Sequence, residues 1–252
     1  MAFTEPPGWY VISLRPQGQH TSLRRAAAAQ GARLIALSPW KLRRHADDAT
    51  RAALRIALDA PRVLFTSPAA VAAAAALLKF RPRSGQVWIA VGSGTAQALR
   101  SAGVECVQSP ARMDSEGLLE LPALQELAGI DIGLVTAPEG RGLLAATLRG
   151  RGARLLRADV YVREPIALSP PALRKLRALQ VPAFLALTSE GALRHVLAQA
   201  PADILTQLRA GPAMAASARL QRIARESGFA DVELAEGPRP HQLLAAMARR
   251  FR

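Results

Sequence analysis

Two stretches of this chain repeat one plan, and the repeat limits the folds open to it. Residues 132–165 read IGLVTAPEGRGLLAATLRGRGARLLRADVYVREP. The apolar run Ile132–Thr136 stops at Ala137-Pro138-Glu139-Gly140, which predicts a buried strand and a polar loop. Leu143, Leu144, Thr147 and Leu148 recur at helical spacing, and Gly150 and Gly152 close the helix. Arg154 to Tyr161 returns as a strand, and Pro165 prevents its regular continuation. Residues 11–40, VISLRPQGQHTSLRRAAAAQGARLIALSPW, follow the same order. Pro16-Gln17-Gly18 aligns with Pro138-Glu139-Gly140 at an offset of 122 (138 − 16), and the shared Gly-Ala-Arg-Leu at 121 (152 − 31). Trp40 then aligns with Tyr161. Two copies this far apart imply a duplicated half-protein, not a solenoid.

A second kind of segment alternates with the first. Thr50–Leu58 reads as a helix. Val63–Phe65 is a strand that stops at Thr66-Ser67-Pro68. Ala69–Lys79 is a helix with Pro68 in its first turn. Val87–Val91 is a strand, Gly92-Ser93-Gly94 a turn, and Thr95–Ser101 a helix closed by Gly103. Val104–Val107 is a strand, and Asp114 or Ser115 caps a helix over Gly117–Leu127. The series returns as strand Phe184–Leu187, Thr188-Ser189-Glu190-Gly191, helix Ala192–Gln199, strand Ala213–Ala216, a helix to Ser227, and strand Val232–Leu234. A last helix spans Gln242–Arg250. The Thr-Ser pairs lie 122 apart (188 − 66). The order is A, B, A, B, and alternating strands and helices predict α/β parallel sheets covered on both faces.

Composition narrows the class. Half the residues are hydrophobic but only 4% are aromatic, so Ala and Leu must fill the core. The apolar run that contains Val71–Leu78, between Pro68 and Lys79, is too short to span a bilayer. The start, MAFTEPPGWY, has neither a basic region nor an apolar core, so no signal peptide is expected. A single cysteine, Cys106, excludes an internal disulfide framework and Cys-based metal sites. These features make the cytoplasm the expected location. The net charge of +14 rests almost wholly on arginine. Its plain reading is the Ala, Arg, Leu and Gly bias of a GC-rich coding sequence. Its functional readings are an acidic small molecule or nucleic acid. The arginines are scattered and not interleaved with aromatics, which fits a polyanionic small substrate at least as well.

Parallel sheets bind ligands beyond the C-terminal ends of their strands, at helix N-termini. Six loops fall there: Arg15–Gln19, Thr66-Ser67, Gly92–Thr95 (with Ser93), Pro138–Arg141 (with Gly140), Thr188–Gly191 (with Ser189) and Ser217–Arg219. All carry hydroxyls, Gly or Arg on what reads as one sheet edge. Exposed N–H groups at a helix start bind carboxylate or phosphate. The plainer reading is that the Ser and Thr are caps and the Gly are turns. Gly92-Ser93-Gly94 has Gln97 where a dinucleotide fingerprint has Gly, so no such cofactor is expected. His20, His45, His195 and His241 lack metal spacing and read as surface or core residues. No Ser-His-Asp or Cys-His set is suggested. Tyr161 is the one polar aromatic near a repeat junction, and the alternative for it is hinge packing like that of Trp40.

The ordered motifs Phe65-Thr66-Ser67, Ala90-Val91-Gly92 with Thr95-Ala96 and Gly103, Ser115-Glu116-Gly117-Leu118-Leu119, Pro138-Glu139-Gly140-Arg141 with Gly152-Ala153, Val160-Tyr161 and Leu187-Thr188-Ser189 resemble the uroporphyrinogen-III synthase family. The likeness runs from about Val11 to Met247. It implies two doubly wound, flavodoxin-like parallel-sheet domains joined by a two-stranded connector, with the substrate in the cleft between them. Carried over, domain one is 1–37 with 163–252, and domain two is 38–162. The implied reaction is a lyase reaction that cyclises hydroxymethylbilane with inversion of ring D, in tetrapyrrole biosynthesis. The terminal hydroxyl departs, ring D is attacked at its substituted carbon, and a spiro-pyrrolenine fragments and recloses. No cofactor and no metal are implied. Tyr161 matches the family tyrosine proposed to assist hydroxyl departure. Arg15, Thr66, Ser67, Gly92, Ser93, Thr95, Ser115, Gly140, Arg141, Thr188, Ser189, Ser217 and Arg219 are the expected binders of its eight carboxylates. A monomer is expected, with neither nucleic acid nor membrane as partner, and with transient contact to hydroxymethylbilane synthase. The chain departs from the family at Ala69, where Asn is frequent, and at Ser217-Ala218-Arg219-Leu220, where many members have Gly and Thr. Two other classes remain: a two-domain binding protein for an anionic small molecule, and a basic nucleic-acid-binding regulator.

Overall fold

A computed structural model describes residues 8–110, 115–138 and 142–251. In chain order the elements are β1 (Trp9–Ser13), α1 (Thr21–Ala28), β2 (Ala32–Ala36), β3 (Trp40–Arg44), α2 (Asp48–Asp59), β4 (Arg62–Phe65), α3 (Pro68–Leu77), β5 (Val87–Ala90), α4 (Ser93–Ser101), β6 (Val107–Gln108) and α5 (Ser115–Leu119). A 3-10 turn (Pro122–Leu124), β7 (Asp131–Thr136), α6 (Gly142–Gly150), β8 (Arg154–Asp159), β9 (Tyr161–Pro165) and α7 (Pro170–Arg177) follow. The chain continues as β10 (Ala183–Leu187), α8 (Glu190–Gln199), α9 (Ala202–Ala210), β11 (Ala213–Ala215), α10 (Ala218–Glu226), β12 (Val232–Leu234) and α11 (Pro240–Arg250). Among the described residues no helix is long and apolar enough to cross a membrane.

The elements gather into two compact units, Met1–Lys41 with Glu164–Arg252, and Leu42–Arg163. The first holds a five-stranded sheet in the order β12-β11-β10-β1-β2, the second a sheet in the order β6-β5-β4-β7-β8. Every pairing in both sheets is parallel. The first A segment therefore pairs with the last B, and the two middle segments pair with each other. The two sheets are circular permutations of one arrangement. β3 and β9 pair as a separate two-stranded sheet, through which the chain passes between units.

Local chemistry sets the boundaries. The Asp47 side chain accepts the Thr50 N–H at 2.8 Å and opens α2. Ser67 caps α3, with Pro68 at the first helical position. Gly31, Gly103, Gly152 and Gly228 all have φ between 71° and 93°, the left-handed conformation that ends a helix without a Cβ penalty. These are the glycines that mark the repeat in the sequence.

Strand alternation gives each sheet two buried faces. In the first unit Ile12, Leu14, Leu185 and Leu187 pack with Leu176, Leu193 and Ile223 on one side. Trp9, Val11, Phe184 and Met214 pack with Leu23, Leu243 and Met247 on the other. In the second, Val63, Phe65 and Val135 pack with Leu54, Val71 and Leu99, while Leu64, Ile89 and Leu134 pack with Leu118, Leu124 and Leu148. Each such side chain withdrawn from water stabilises by about 1.5–3 kcal/mol, which makes these faces the main source of cohesion.

Four expectations change, the first being the strand expected over Val104–Val107, which forms only at Val107–Gln108. The strand expected over Arg154–Tyr161 is two strands in two sheets, broken at Val160. The helix expected over Gly117–Leu127 stops at Leu119, because Pro122 cannot donate to a continuing helix and opens a 3-10 turn. Ser93 and Gly94, expected in a turn, are the first residues of α4, with extended Gly92 before them. Helices α7 and α9 have no counterpart in the expected element series, and β3 with β9 forms the two-stranded connector that the family resemblance implies.

Candidate active site

Five of the loops, and Pro138 of the sixth, lie at C-terminal strand ends, but on two sheets. This corrects the single edge expected. The crossed pairing of A and B segments is the reason, since it sends the loops after β1, β10 and β11 to one sheet and those after β4, β5 and β7 to the other.

In the second unit the edge centres on the end of β4. Ser67 Oγ accepts the Ala70 N–H at 3.0 Å and so caps α3. The same oxygen lies 3.1 Å from the hydroxyl of Tyr161. The Tyr161 ring is 3% exposed and packs in the core that contains Phe65 and Val135. Thr66 Oγ1 donates to Thr136 Oγ1 at 2.8 Å, tying the end of β4 to the end of β7. Gly92 precedes α4 in extended backbone without a side-chain cap, Ser93 opens the helix, and Thr95 is buried in its first turn. Gly140 and Arg141 lie outside the described residues. Ser115 opens α5, and its side chain lies outside them as well.

In the first unit Ser189 caps α8 through the Ala192 N–H, and Ser217 caps α10 through the Leu220 N–H. The cap reading of these serines and of Ser67 is therefore realised in all three. Thr188 is half-buried at the end of β10. Arg219 is ion-paired with Glu190 at 2.5 Å, and Arg194 joins the same carboxylate at 2.8 Å. These two guanidinium groups hold the Glu190 carboxyl below its ordinary range. Arg15 donates to Ser22 Oγ at 3.2 Å, and burial lowers its pKa.

A buried polar cluster that is not among the expected site residues lies beside Arg15. His20 is 6% exposed, with Nδ1 3.0 Å from Ser13 Oγ and Nε2 2.8 Å from Ser38 Oγ. Burial first, then the charges of Arg24 and Arg15, push its pKa down to about 4. The signal was present: Ser13 interrupts the apolar run of β1, and Ser38 follows the apolar run of β2. Among the described residues no three His, Cys, Asp or Glu side chains gather as a metal site.

A model of the family described as uroporphyrinogen-III synthase HemD matches residues 21–245. The uroporphyrinogen-III synthetase of Helicobacter pylori has 16% identity and a TM-score of 0.64, over 96% of this chain and 99% of that one. A mutant uroporphyrinogen III synthase of Thermus thermophilus has 20% identity and a TM-score of 0.61, over 95% and 97%. At such identities the two structures establish the shared fold, two parallel-sheet domains with helices on both faces. Neither alternative class, anion-binding module or nucleic-acid regulator, gains support from these matches. The family match over most of the chain shows that it belongs to the uroporphyrinogen-III synthase family, lyases that cyclise hydroxymethylbilane.

Proposed function

We propose that the Tyr161 phenol is the proton donor in the cyclisation of hydroxymethylbilane to uroporphyrinogen III. The observation that carries this is the 3.1 Å contact between the Tyr161 hydroxyl and Ser67 Oγ. Ser67 Oγ already accepts the Ala70 N–H, so its own O–H is free to donate to the phenol oxygen. The phenol then keeps its proton for a substrate oxygen. When the terminal C–O bond breaks, that proton leaves with the hydroxyl as water and an azafulvene cation remains. The Ser67 hydroxyl and the start of α3 stabilise the phenolate meanwhile. Ring D is attacked at its substituted carbon, and the spiro intermediate fragments and recloses inverted. The proton lost as the last pyrrole regains aromaticity restores the phenol.

The chemistry is largely the substrate's own, and positioning is the protein's larger task. Two of the expected binders have their hydroxyls engaged, Thr66 with Thr136 and Ser67 with Tyr161. Hydroxyls, glycine backbone and arginines elsewhere on the two sheet edges bind the carboxylates in this reading: Gly92, Ser93, Thr95, Ser115, Gly140 and Arg141 in one unit, Arg15, Thr188, Ser189, Ser217 and Arg219 in the other. The same reading has a monomer working in the cytoplasm. Transient contact with hydroxymethylbilane synthase would shorten the life of a free substrate that closes unaided.

The test is the product isomer, read by chromatography after oxidation, together with turnover of two variants. The wild type should give the type III isomer. Tyr161→Phe should lose roughly tenfold to a hundredfold in kcat, the lower end of a general-acid contribution, with KM little changed. Tyr161→Ala should lower thermal stability as well. Type I product alone would overturn the activity, and wild-type turnover in Tyr161→Phe would overturn the role of the hydroxyl.

A further inference from the structure

The first unit contains a cavity of about 590 Å³ whose lining includes Gln17, His20, Arg24, Ser38, Lys41 and Ser169. It lies past the C-terminal ends of β1 and β2, where α1 begins. Arg24 and Lys41 line it, and among the described residues no acidic side chain does. Among those residues the one acid paired with a lining cation is Glu164, 3.0 Å from Lys41 and well exposed. Helix α1 has no side-chain cap, unlike α3, α8 and α10, whose first N–H groups are taken by Ser67, Ser189 and Ser217.

Beneath the cavity the cluster Ser13–His20–Ser38 has a direction. The Arg15 N–H points to Ser13 Oγ at 3.5 Å, and the Ser13 O–H is free to donate to His20 Nδ1 at 3.0 Å. In the tautomer this pairing selects, the imidazole carries its proton on Nε2 and donates to Ser38 Oγ at 2.8 Å. With its oxygen so occupied, Ser38 has its own O–H free for the cavity that it lines.

We propose that this cavity is a carboxylate subsite, with Arg24 and Lys41 supplying charge, the start of α1 and Ser38 supplying hydrogen bonds, and His20 acting as the positioning residue for Ser38. It rests on the synthase reading, which makes the ligand one carboxylate arm of hydroxymethylbilane. The charges that His20 feels are those of Arg15 and Arg24. Lys41 shares the cavity and is offset by Glu164. Both cations nearest the imidazole oppose its protonation, so a bound anion reverses the local field and eases it. Occupancy of the cavity and protonation of His20 are thereby linked.

The test uses the full chain and an unreactive probe, benzenehexacarboxylate, with inorganic phosphate as a second arm. The probe should raise the NMR titration midpoint of the His20 C2–H by roughly one pH unit, and the double variant Arg24→Gln/Lys41→Gln should abolish that shift. Arg24→Gln should raise KM for hydroxymethylbilane roughly tenfold with kcat nearly unchanged, and Arg24→Lys should recover most of it. A structural defect would lower kcat and thermal stability instead and would not be rescued. An unmoved His20 resonance together with an unchanged KM in the double variant overturns the subsite. Phosphate binding that matches the probe, with KM unchanged in the double variant, makes it a free-anion site and overturns the assignment to substrate. An inactive wild type would sink the synthase reading alone, because the probe titration reads the subsite without turnover.

Discussion

The two connector strands begin with aromatic residues in corresponding places, and the units use them differently. Trp40, first residue of β3, lies against the start of α8, its ring 3.5 Å from where a Cβ on Gly191 would stand and 5.9 Å from the His195 ring. Tyr161, first residue of β9, meets the start of α3 through a hydrogen bond to Ser67. α8 and α3 both follow a Thr-Ser pair that ends the first strand of a B segment, and both are capped by its serine. One helix start is covered by an indole, the other is reached by a phenol. Duplication supplied two equivalent positions, and only the second carries a group that can give up a proton.

Interior differences of this kind can be tested directly. The largest effect is expected at Gly133. In the first unit Ile12 pairs with Leu185, and in the second Gly133 pairs with Val63. Leu185 and Val63 each stand three residues before the Thr of the Thr-Ser pair (188 − 185 and 66 − 63), so Ile12 and Gly133 hold the same place. A Cβ on Gly133 would sit 1.8 Å from the backbone oxygen of Ala57, because α2 lies directly on the sheet there. Gly133→Ala should destabilise the second unit by about 3 kcal/mol, the upper range of overpacking, since backbone must move. Urea unfolding should show this as an early transition. An unchanged midpoint would mean that α2 shifts freely.

A smaller effect separates the units by pH. The buried polar side chains of the first are Ser13, His20 and Ser38, and of the second, among the described residues, Thr95 and Thr136. Only the first set titrates. His20 ionises near pH 4 when folded, against 6.5 when unfolded. Between these values the unfolded chain holds a proton that the folded chain lacks. The contribution of His20 is thus complete above about pH 6.5 and is lost as pH falls toward 4. The expected loss between pH 7 and pH 4.5 is about 2 kcal/mol. His20→Gln should flatten the pH dependence of the urea midpoint, and parallel curves for the two proteins would refute the linkage.

The smallest effect compares the caps. Ser67→Ala and Ser189→Ala should each cost about 1 kcal/mol of stability. Only the first should also lower kcat at saturating substrate, because only Ser67 touches Tyr161, while Ser189→Ala should act on KM. Ser67→Asp keeps a good cap but has no proton to donate to the phenol. It should restore the stability and not the rate, and recovery of both would show that Ser67 serves only as a cap.

Much of this architecture was legible in the sequence. The A-B-A-B order, the closing glycines and the Thr-Ser caps are local signals, fixed by backbone conformation and strand length. The break at Val160 was not, because LLRADVYV has the same apolar pattern whether one sheet or two receive it. α7, with sequence PPALRKLR, hides its two buried residues, Ala172 and Leu176, among charges and prolines. The clash latent at Gly133 depends on where α2 comes to rest, which no residue near Gly133 announces. Of the expected binders, Tyr161 and Ser67 come together, and Arg219 is joined to Glu190. His20 has no metal spacing to mark it, and the serines that hold it lie 7 and 18 positions away along the chain.

The crossed pairing of segments also imposes a timetable on synthesis. The second unit is one continuous stretch, and its five strands leave the ribosome in succession. The first unit is not: β1 and β2 emerge early, and their partner β10 begins 147 residues after β2 ends (183 − 36). At about 5 to 20 residues per second, that separation is roughly 7 to 30 seconds, far longer than a hairpin or a helix needs to form. Throughout that interval β1 presents a bare edge, with Trp9, Val11 and Ile12 on it. The nascent chain thus carries its own unpaired strand while an entire second unit is translated.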